Sequence, residues 1–176
     1  MKTLPKHLRY ITGHCQFGGL LFAVCDAGVA AILLGDDDSA MVADLQQRFP
    51  GATLEEDKAG LKQDMQALLH YVDHPQGKLD LQQPLAAHGS DFQKKVWAEL
   101  AKIPAGQTIT YSELAKRTGN PAAVRAVAGA CAANPLAMVV PCHRVLRSDG
   151  GISGYRWGVE RKVKLIDLER RLAAGE

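Results

Sequence analysis

Three short apolar runs, Tyr10–Gln16, Leu20–Cys25 and Val29–Leu34, open the chain, separated by Gly18-Gly19 and by Asp26-Ala27-Gly28. Apolar runs of this length, punctuated by glycine, predict three antiparallel strands joined by hairpins. The turn Gly35-Asp36-Asp37-Asp38 then leads into a helix over about Ser39–Arg48, which Pro50-Gly51 closes. Leu61, Met65, Leu68 and Val72 recur every three or four positions, so a second helix is predicted to run to about Asp73. His74-Pro75-Gln76-Gly77 stops it.

The pattern changes after a connection rich in Pro75, Gly77, Pro84 and Gly89. We therefore expect residues 1–85 to form a small α/β scaffolding domain with a short antiparallel sheet, and residues 86–176 a mainly helical domain, α+β overall. Ser90 or Asp91 can cap a helix through about Lys102, with Phe92, Val96, Trp97 and Leu100 on its inner face. Gln107–Thr110 reads as a short strand. Thr110-Tyr111-Ser112-Glu113 has the form of a capping box and opens a helix through Arg117. Gly119 makes a turn, Asn120 is expected to cap the next helix, and Pro121 suits its first position. Two helices joined by such a turn fit a helix-turn-helix, although short helical hairpins also occur for packing alone.

Charge sharpens that reading. Residues 1–89 carry 7 Lys+Arg against 11 Asp+Glu, whereas residues 90–176 carry 14 against 8. A basic second half beside an acidic first half points any polyanion to the second. The predicted helix over about Pro121–Ala133 has Val124, Val127 and Cys131 on its core side. Opposite lie Ala122, Ala126, Gly129 and Ala133, an almost smooth stripe bordered by Arg125, the helix's single charge. Sequence readout in a groove needs several Arg, Asn or Gln side chains. This helix is suited to close, sequence-independent approach to DNA, or alternatively to packing against another helix.

The four cysteines, Cys15, Cys25, Cys131 and Cys142, form no C-x-x-C pair, so no zinc ribbon or thioredoxin-type site is signalled. Buried free cysteines usually act as small hydrophobes, and no metal or cofactor is expected, although His14-Cys15 with Cys25 leaves a metal alternative open. No apolar stretch approaches a membrane span, and the opening Met1–His7 has no signal-peptide core. The expected location is the cytoplasm.

Pro141-Cys142-His143-Arg144-Val145 carries the chemistry. A thiol reacts as its thiolate, and a neighbouring histidine can take its proton. On a regular strand, however, Cys142 and His143 would face opposite ways, so the chain must turn there or a water must bridge them. A histidine base is usually oriented by a third group. In the terminal helix, about Val159–Leu172, Val159, Val163, Leu165, Ile166, Leu168 and Leu172 make a broad apolar face, and Glu169 projects from it. Cys142, His143 and Glu169 are thus a candidate triad, open to a thiol-hydrolase as well as a transferase reading.

The motif and its flanks resemble the O6-alkylguanine-DNA alkyltransferases (methylated-DNA–protein-cysteine methyltransferases). Tyr111-Ser112-Glu113-Leu114-Ala115, Val124-Arg125-Ala126-Val127, Ala133-Asn134-Pro135 and Ser153-Gly154-Tyr155 follow the family's order and spacing over most of the chain. Ala31–Asp37 and Gly154-Tyr155-Arg156-Trp157-Gly158 look most like the bacterial Ada branch. The resemblance implies Cys142 as alkyl acceptor, activated through a water by His143 with Glu169 behind it, and Asn134 bracing the turn. It implies that Arg125 enters the minor groove and fills the gap left by an extruded nucleotide, on a helix whose Ala126 and Gly129 meet the duplex. Tyr111 would donate to guanine N3, the Cys142 and Val145 carbonyls would accept from the exocyclic amine, and Tyr155 would line the pocket. Backbone N–H groups near Tyr155 and Arg156 would meet O6.

The implied activity is direct-reversal repair: a monomer takes a methyl or other small alkyl group from O6 of a flipped guanine in double-stranded DNA. Transfer is irreversible, once per molecule and without sequence preference, with O4-methylthymine a further substrate left open. One departure stands out. Many relatives carry a small residue pair after the pocket tyrosine, often including a serine, where this chain has Arg156-Trp157. A serine hydroxyl contact to O6 is therefore not expected, and Trp157 is expected to narrow the pocket. The chain begins at Met1, so a preceding zinc-binding regulatory half, with phosphotriester repair and transcriptional control, is not expected. A DNA-binding module that recognises damage without accepting the alkyl group is disfavoured, because Cys142 is present.

Overall fold

A computed structural model describes residues 3–176. Met1 and Lys2, part of the stretch considered above for an export signal, lie outside the described residues. The fold is α+β, in two compact units, the first ending at His88 and the second beginning at Gly89.

In the first unit, β1 (His7–Cys15), β2 (Gly18–Cys25) and β3 (Gly28–Gly35) form the expected antiparallel hairpins. The apolar runs of β2 and β3 are buried almost throughout. Helix α1 (Asp38–Arg48), capped by Asp37, packs on β2 and β3, and α2 (Lys58–Asp73), capped by Asp57, packs on β1. One strand escaped the pattern. β4 (Thr53–Glu56) pairs parallel to β1 at the sheet edge, so the order is β3-β2-β1-β4 and the sheet is mixed. With Leu54 its only apolar residue, β4 has no hydrophobic signature, and backbone pairing to β1, with an exposed His7–Glu55 contact, places it. Gly28 lies at φ 135°, where a Cβ would stand 2.1 Å from the Pro84 carbonyl oxygen. That carbonyl accepts from Val29 N at 2.8 Å, tying the connection to β3.

The second unit contains α3 (Asp91–Leu100), β5 (Ile109–Thr110), α4 (Tyr111–Arg117), α5 (Val124–Ala132), β6 (Val145–Leu146) and α6 (Val159–Ala173). A full capping box of Ser90 and Gln93 starts α3. Val96, Trp97 and Leu100 are buried against α5, and the Trp97 indole donates to the Ala130 carbonyl at 2.9 Å. Phe92, expected on this face, is exposed. β5 and β6 pair in parallel, which fixes the start of α4 beside the segment following Cys142.

Three further expectations are corrected. At α4 only half of the capping box forms: Thr110 Oγ1 accepts from Glu113 N, while the Glu113 carboxylate pairs with Arg117 one turn on. Helix α5 begins at Val124 rather than Pro121, because Asn120 closes a turn instead of capping, its carbonyl accepting from Ala123 N and its Oδ1 from Ala122 N. In α6, Val159 and Val163 are exposed, and the buried face is Lys162, Leu165, Ile166 and Glu169. The helix is turned so that two of its charged residues, rather than its valines, meet the interior. The partners waiting there explain why.

Candidate active site

The chain does turn at Cys142. Cys142–Arg144 make one turn of 3-10 helix between Pro141 and β6, so successive side chains diverge by about a third of a turn instead of opposing one another. Asn134, fully buried, organises the loop before it. Its Nδ2 donates to the Val140 carbonyl at 2.8 Å and to Cys142 Sγ at 3.3 Å, while its Oδ1 accepts from Leu136 N at 2.9 Å. Within this loop buried Met138 sits at φ 68°, a left-handed conformation that costs a non-glycine residue on the order of 1 kcal/mol or more and persists because the surrounding bonds over-determine it.

Behind the thiol lies a buried ionic cluster. His143 Nε2 is 2.8 Å from Glu169 Oε1, and Arg144 clamps the same carboxylate through Nε at 2.9 Å and Nη2 at 2.7 Å. The third guanidinium nitrogen of Arg144, Nη1, donates to the Ile103 carbonyl. All three side chains are at most 5% exposed. Burial alone would raise the Glu169 pKa, but the hydrogen bonds and charges of His143 and Arg144 outweigh it and bring it down to about 2. Burial dominates at His143 and lowers its pKa against the pull of Glu169. The imidazole is therefore neutral beside an ionised carboxylate, which only accepts. Nε2 must carry the proton, leaving Nδ1 with a lone pair that no described residue engages. A neutral base is thus held in a fixed tautomer at the residue that follows Cys142.

Cys142 lines a cavity of about 410 Å³ with Tyr111, Ala128, Cys131, Ala132, Ser153, Gly154, Tyr155 and Arg156. That volume suits a small-molecule-sized group, and the exposed Ala132, Gly154 and Arg156 form its rim. Burial, reinforced by Cys142, pushes the Cys131 thiol up to about 12, so this second cavity cysteine keeps its proton. Tyr111 and Tyr155 are likewise held protonated, chiefly by burial.

Beside the cavity, α5 presents Arg125, Ala126, Gly129 and Ala132 to solvent. A Cβ added at Gly129 would meet nothing within 4 Å, so among the described residues this part of the stripe packs against no other helix.

One residue stands elsewhere than expected. Trp157 does not line the cavity: it is 5% exposed and packs edge-on behind Tyr155, ring centroids 5.3 Å apart. It supports the wall rather than narrowing the space. Val145, expected to contribute its main-chain carbonyl, is fully buried in the β5–β6 pairing that follows Cys142–Arg144. The sequence reading also missed Arg144 as the anchor of Glu169, Ser153 beside Tyr111, and Lys162. An arginine next to a histidine reads only as local positive charge, and a lysine on a helix reads as solvated. Neither carries a periodic signal for burial.

Comparison with known proteins identifies the family. Residues 91–171 match the family model for the 6-O-methylguanine DNA methyltransferase DNA-binding domain. Over 129 residues the chain is 41% identical to the inducible methylated-DNA–protein-cysteine methyltransferase of Bacillus subtilis, covering 73% of this chain and 71% of that protein. The chain belongs to the methylated-DNA–protein-cysteine methyltransferase family. The family's fold extends to the first unit as well. The Mycobacterium tuberculosis OGT structure in complex with DNA is 32% identical with a TM-score of 0.76, covering 94% of this chain and 93% of that one. The Escherichia coli bifunctional transcriptional activator/DNA repair enzyme Ada is 45% identical over 162 residues, which are 92% of this chain but 45% of Ada. The chain thus spans less than half the length of that relative. Among the described residues no helix is long and apolar enough to cross a membrane, and no group of three or more His, Cys, Asp or Glu side chains is arranged to hold a metal ion.

Proposed function

We propose that this protein reverses O6-alkylation of guanine in double-stranded DNA by moving the alkyl group, methyl or similarly small, irreversibly to Cys142. The observation that carries the reading is the placement of the Cys142 thiol in a nucleobase-sized cavity, backed by a buried neutral His143 whose tautomer Glu169 sets. His143 Nδ1 takes the thiol proton through a bridging water. The sulfur attacks the alkyl carbon, the S–C bond forms as the C–O6 bond breaks, and guanine leaves with the electron pair. Tyr111 donates a hydrogen bond to N3 of the departing anion, which is then protonated by way of solvent and His143. Asn134 holds Sγ and the loop, while the main-chain carbonyls of Cys142 and Val145 read the exocyclic amine. Tyr155, backed by Trp157, forms the wall, and the backbone at Tyr155 and Arg156 addresses O6.

O6 is inaccessible to a buried thiol while guanine is stacked, so the nucleotide must be extruded. The α5 surface suits this. Ala126 and Gly129 allow close approach to a minor groove, and Arg125 fills the gap in the base stack, without sequence readout. The product is a thioether that water does not cleave, and nothing in the cavity regenerates the thiol, so each molecule acts once. The reading has the protein acting as a cytoplasmic monomer without metal or cofactor, its first unit serving as scaffold. The DNA complex of the mycobacterial relative supports the partner. Incubation with duplex O6-methylguanine DNA should raise the intact mass by one methylene, mapped to Cys142, with one equivalent transferred. Repeated turnover, or label only on Cys15, Cys25 or Cys131, overturns the proposal.

A further inference from the structure

Lys162 is placed where a lysine is unfavourable. It is fully buried, and it occupies the fourth position of α6, where the positive end of the helix dipole disfavours a cation. No carboxylate pairs with it among the described residues. Its Nζ makes one hydrogen bond, donating to Ser153 Oγ at 3.1 Å, and lies 5.8 Å from the Tyr111 ring centroid. Ser153 Oγ is in turn 2.7 Å from the Tyr111 hydroxyl. Burying an uncompensated ammonium is costly, so packing alone does not account for it. The chain Lys162–Ser153–Tyr111 leads to the cavity wall.

Resting on the alkyl-transfer reading above, we propose that Lys162 is a positioning residue which, through Ser153, aims and strengthens the Tyr111 hydroxyl as donor to the departing guanine. The lysine has only protons to give, so it occupies an acceptor lone pair of Ser153 Oγ. The serine hydroxyl is then free to donate to Tyr111 Oη. Tyr111, its oxygen already accepting, directs its own proton into the cavity. Each bond polarises the next, and the terminal donor is stronger than an isolated phenol. The lysine ammonium opposite the tyrosine ring also favours the negative charge that grows on the tyrosine oxygen as donation proceeds. No proton leaves Lys162; the relay stabilises charge on the leaving group, separately from the field that the ammonium exerts on the nearby Cys142 thiol.

The test measures second-order methyl transfer from duplex O6-methylguanine DNA for Lys162→Met, Ser153→Ala, Tyr111→Phe and the double variant Lys162→Met/Tyr111→Phe. In parallel, alkylation of Cys142 by iodoacetamide is followed by peptide mapping, because iodide leaves without help from a donor. Loss of one preorganised donor typically slows a reaction by about 100-fold, so Tyr111→Phe sets that scale and loss of its polarising cation should cost about tenfold. Ser153→Ala should slow methyl transfer yet leave iodoacetamide reactivity at the wild-type level, and Lys162→Met should slow methyl transfer by clearly more than it slows iodoacetamide alkylation. With each rate divided by the iodoacetamide rate of the same variant, the double variant should be no slower than Tyr111→Phe alone. Additive losses in the double variant, or an equal fall in iodoacetamide reactivity, overturn the proposal by placing Lys162 on the thiol or in the fold. Should Lys162→Met not fold, Ser153→Ala decides: full methyl-transfer activity, or a loss that persists unchanged in a Tyr111→Phe background, overturns the relay. Absence of methyl transfer in the wild-type protein would instead sink the underlying reading.

Discussion

Glu169→Gln tests the buried cluster most directly. The carboxylate accepts from His143 and twice from Arg144, at 2.7–2.9 Å, within side chains at most 5% exposed. Its pKa falls from 4.5 to about 2, and at 1.36 kcal/mol per unit this corresponds to about 3 kcal/mol of stability. Breaking a buried pair by removing one charge costs a similar amount, about 3–5 kcal/mol, because Arg144 is left as an unpaired buried cation. The sign follows from proton uptake. Since the folded pKa lies below the unfolded one, the contribution is complete above pH about 4.5 and is lost as pH falls towards 2. Urea unfolding at several pH values should show Glu169→Gln less stable than wild type by about 3 kcal/mol at pH 7, the gap closing below pH about 4.5. The chemistry should suffer separately. A carboxamide can donate to His143 Nε2, shifting the ring proton to Nδ1 and removing the base, the kind of tautomer error that lowers catalysis by about 10⁴ in a serine-protease triad. Methyl transfer by the folded variant should therefore drop at least about 100-fold. A stability gap that stays constant from pH 7 to 3, or transfer within threefold of wild type, would refute the ionised-Glu, neutral-His arrangement.

Three further outcomes follow from the same geometry. Because burial lowers the His143 pKa below 6.5, the imidazole stays neutral as pH drops through that value; the transfer rate should hold level there and fall only at more acidic pH, and a rate halved near 6.5 would count against it. Arg125→Ala should slow repair of duplex DNA strongly, since unstacking a nucleotide costs on the order of a few kcal/mol, yet spare reaction with free O6-methylguanine base; equal losses with both substrates would place Arg125 in the chemistry or the fold. Trp157→Ala should cost about 3–5 kcal/mol as a buried large-to-small change, lowering the melting temperature and slowing methyl and benzyl substrates alike; selective recovery of O6-benzylguanine would put the indole back in the pocket.

The elements themselves were largely legible from local pattern. Glycine-punctuated apolar runs marked β1 to β3, leucine periodicity marked α2, and the smooth stripe with Arg125 was readable because an alanine-rich helix face has a fixed period. The Cys-His pair with Glu169 was also within reach, since a carboxylate on an apolar helix face demands a partner. What local pattern could not carry was anything decided by contacts between distant segments. β4 exists because its backbone finds an edge to pair with, not because its side chains are apolar. Phe92, Val159 and Val163 look like core residues but face solvent, while Lys162 and Arg144 look like surface residues but are buried. Hydrophobicity says which side chains gain by leaving water, whereas hydrogen-bonding partners determine which charges can follow them. Those partners lie 25 to 41 residues away for Arg144, and Trp157 fell behind Tyr155 rather than into the cavity for a similar reason. Its adjacency to the pocket tyrosine in sequence says nothing about which side of the wall the ring occupies until α6 has docked.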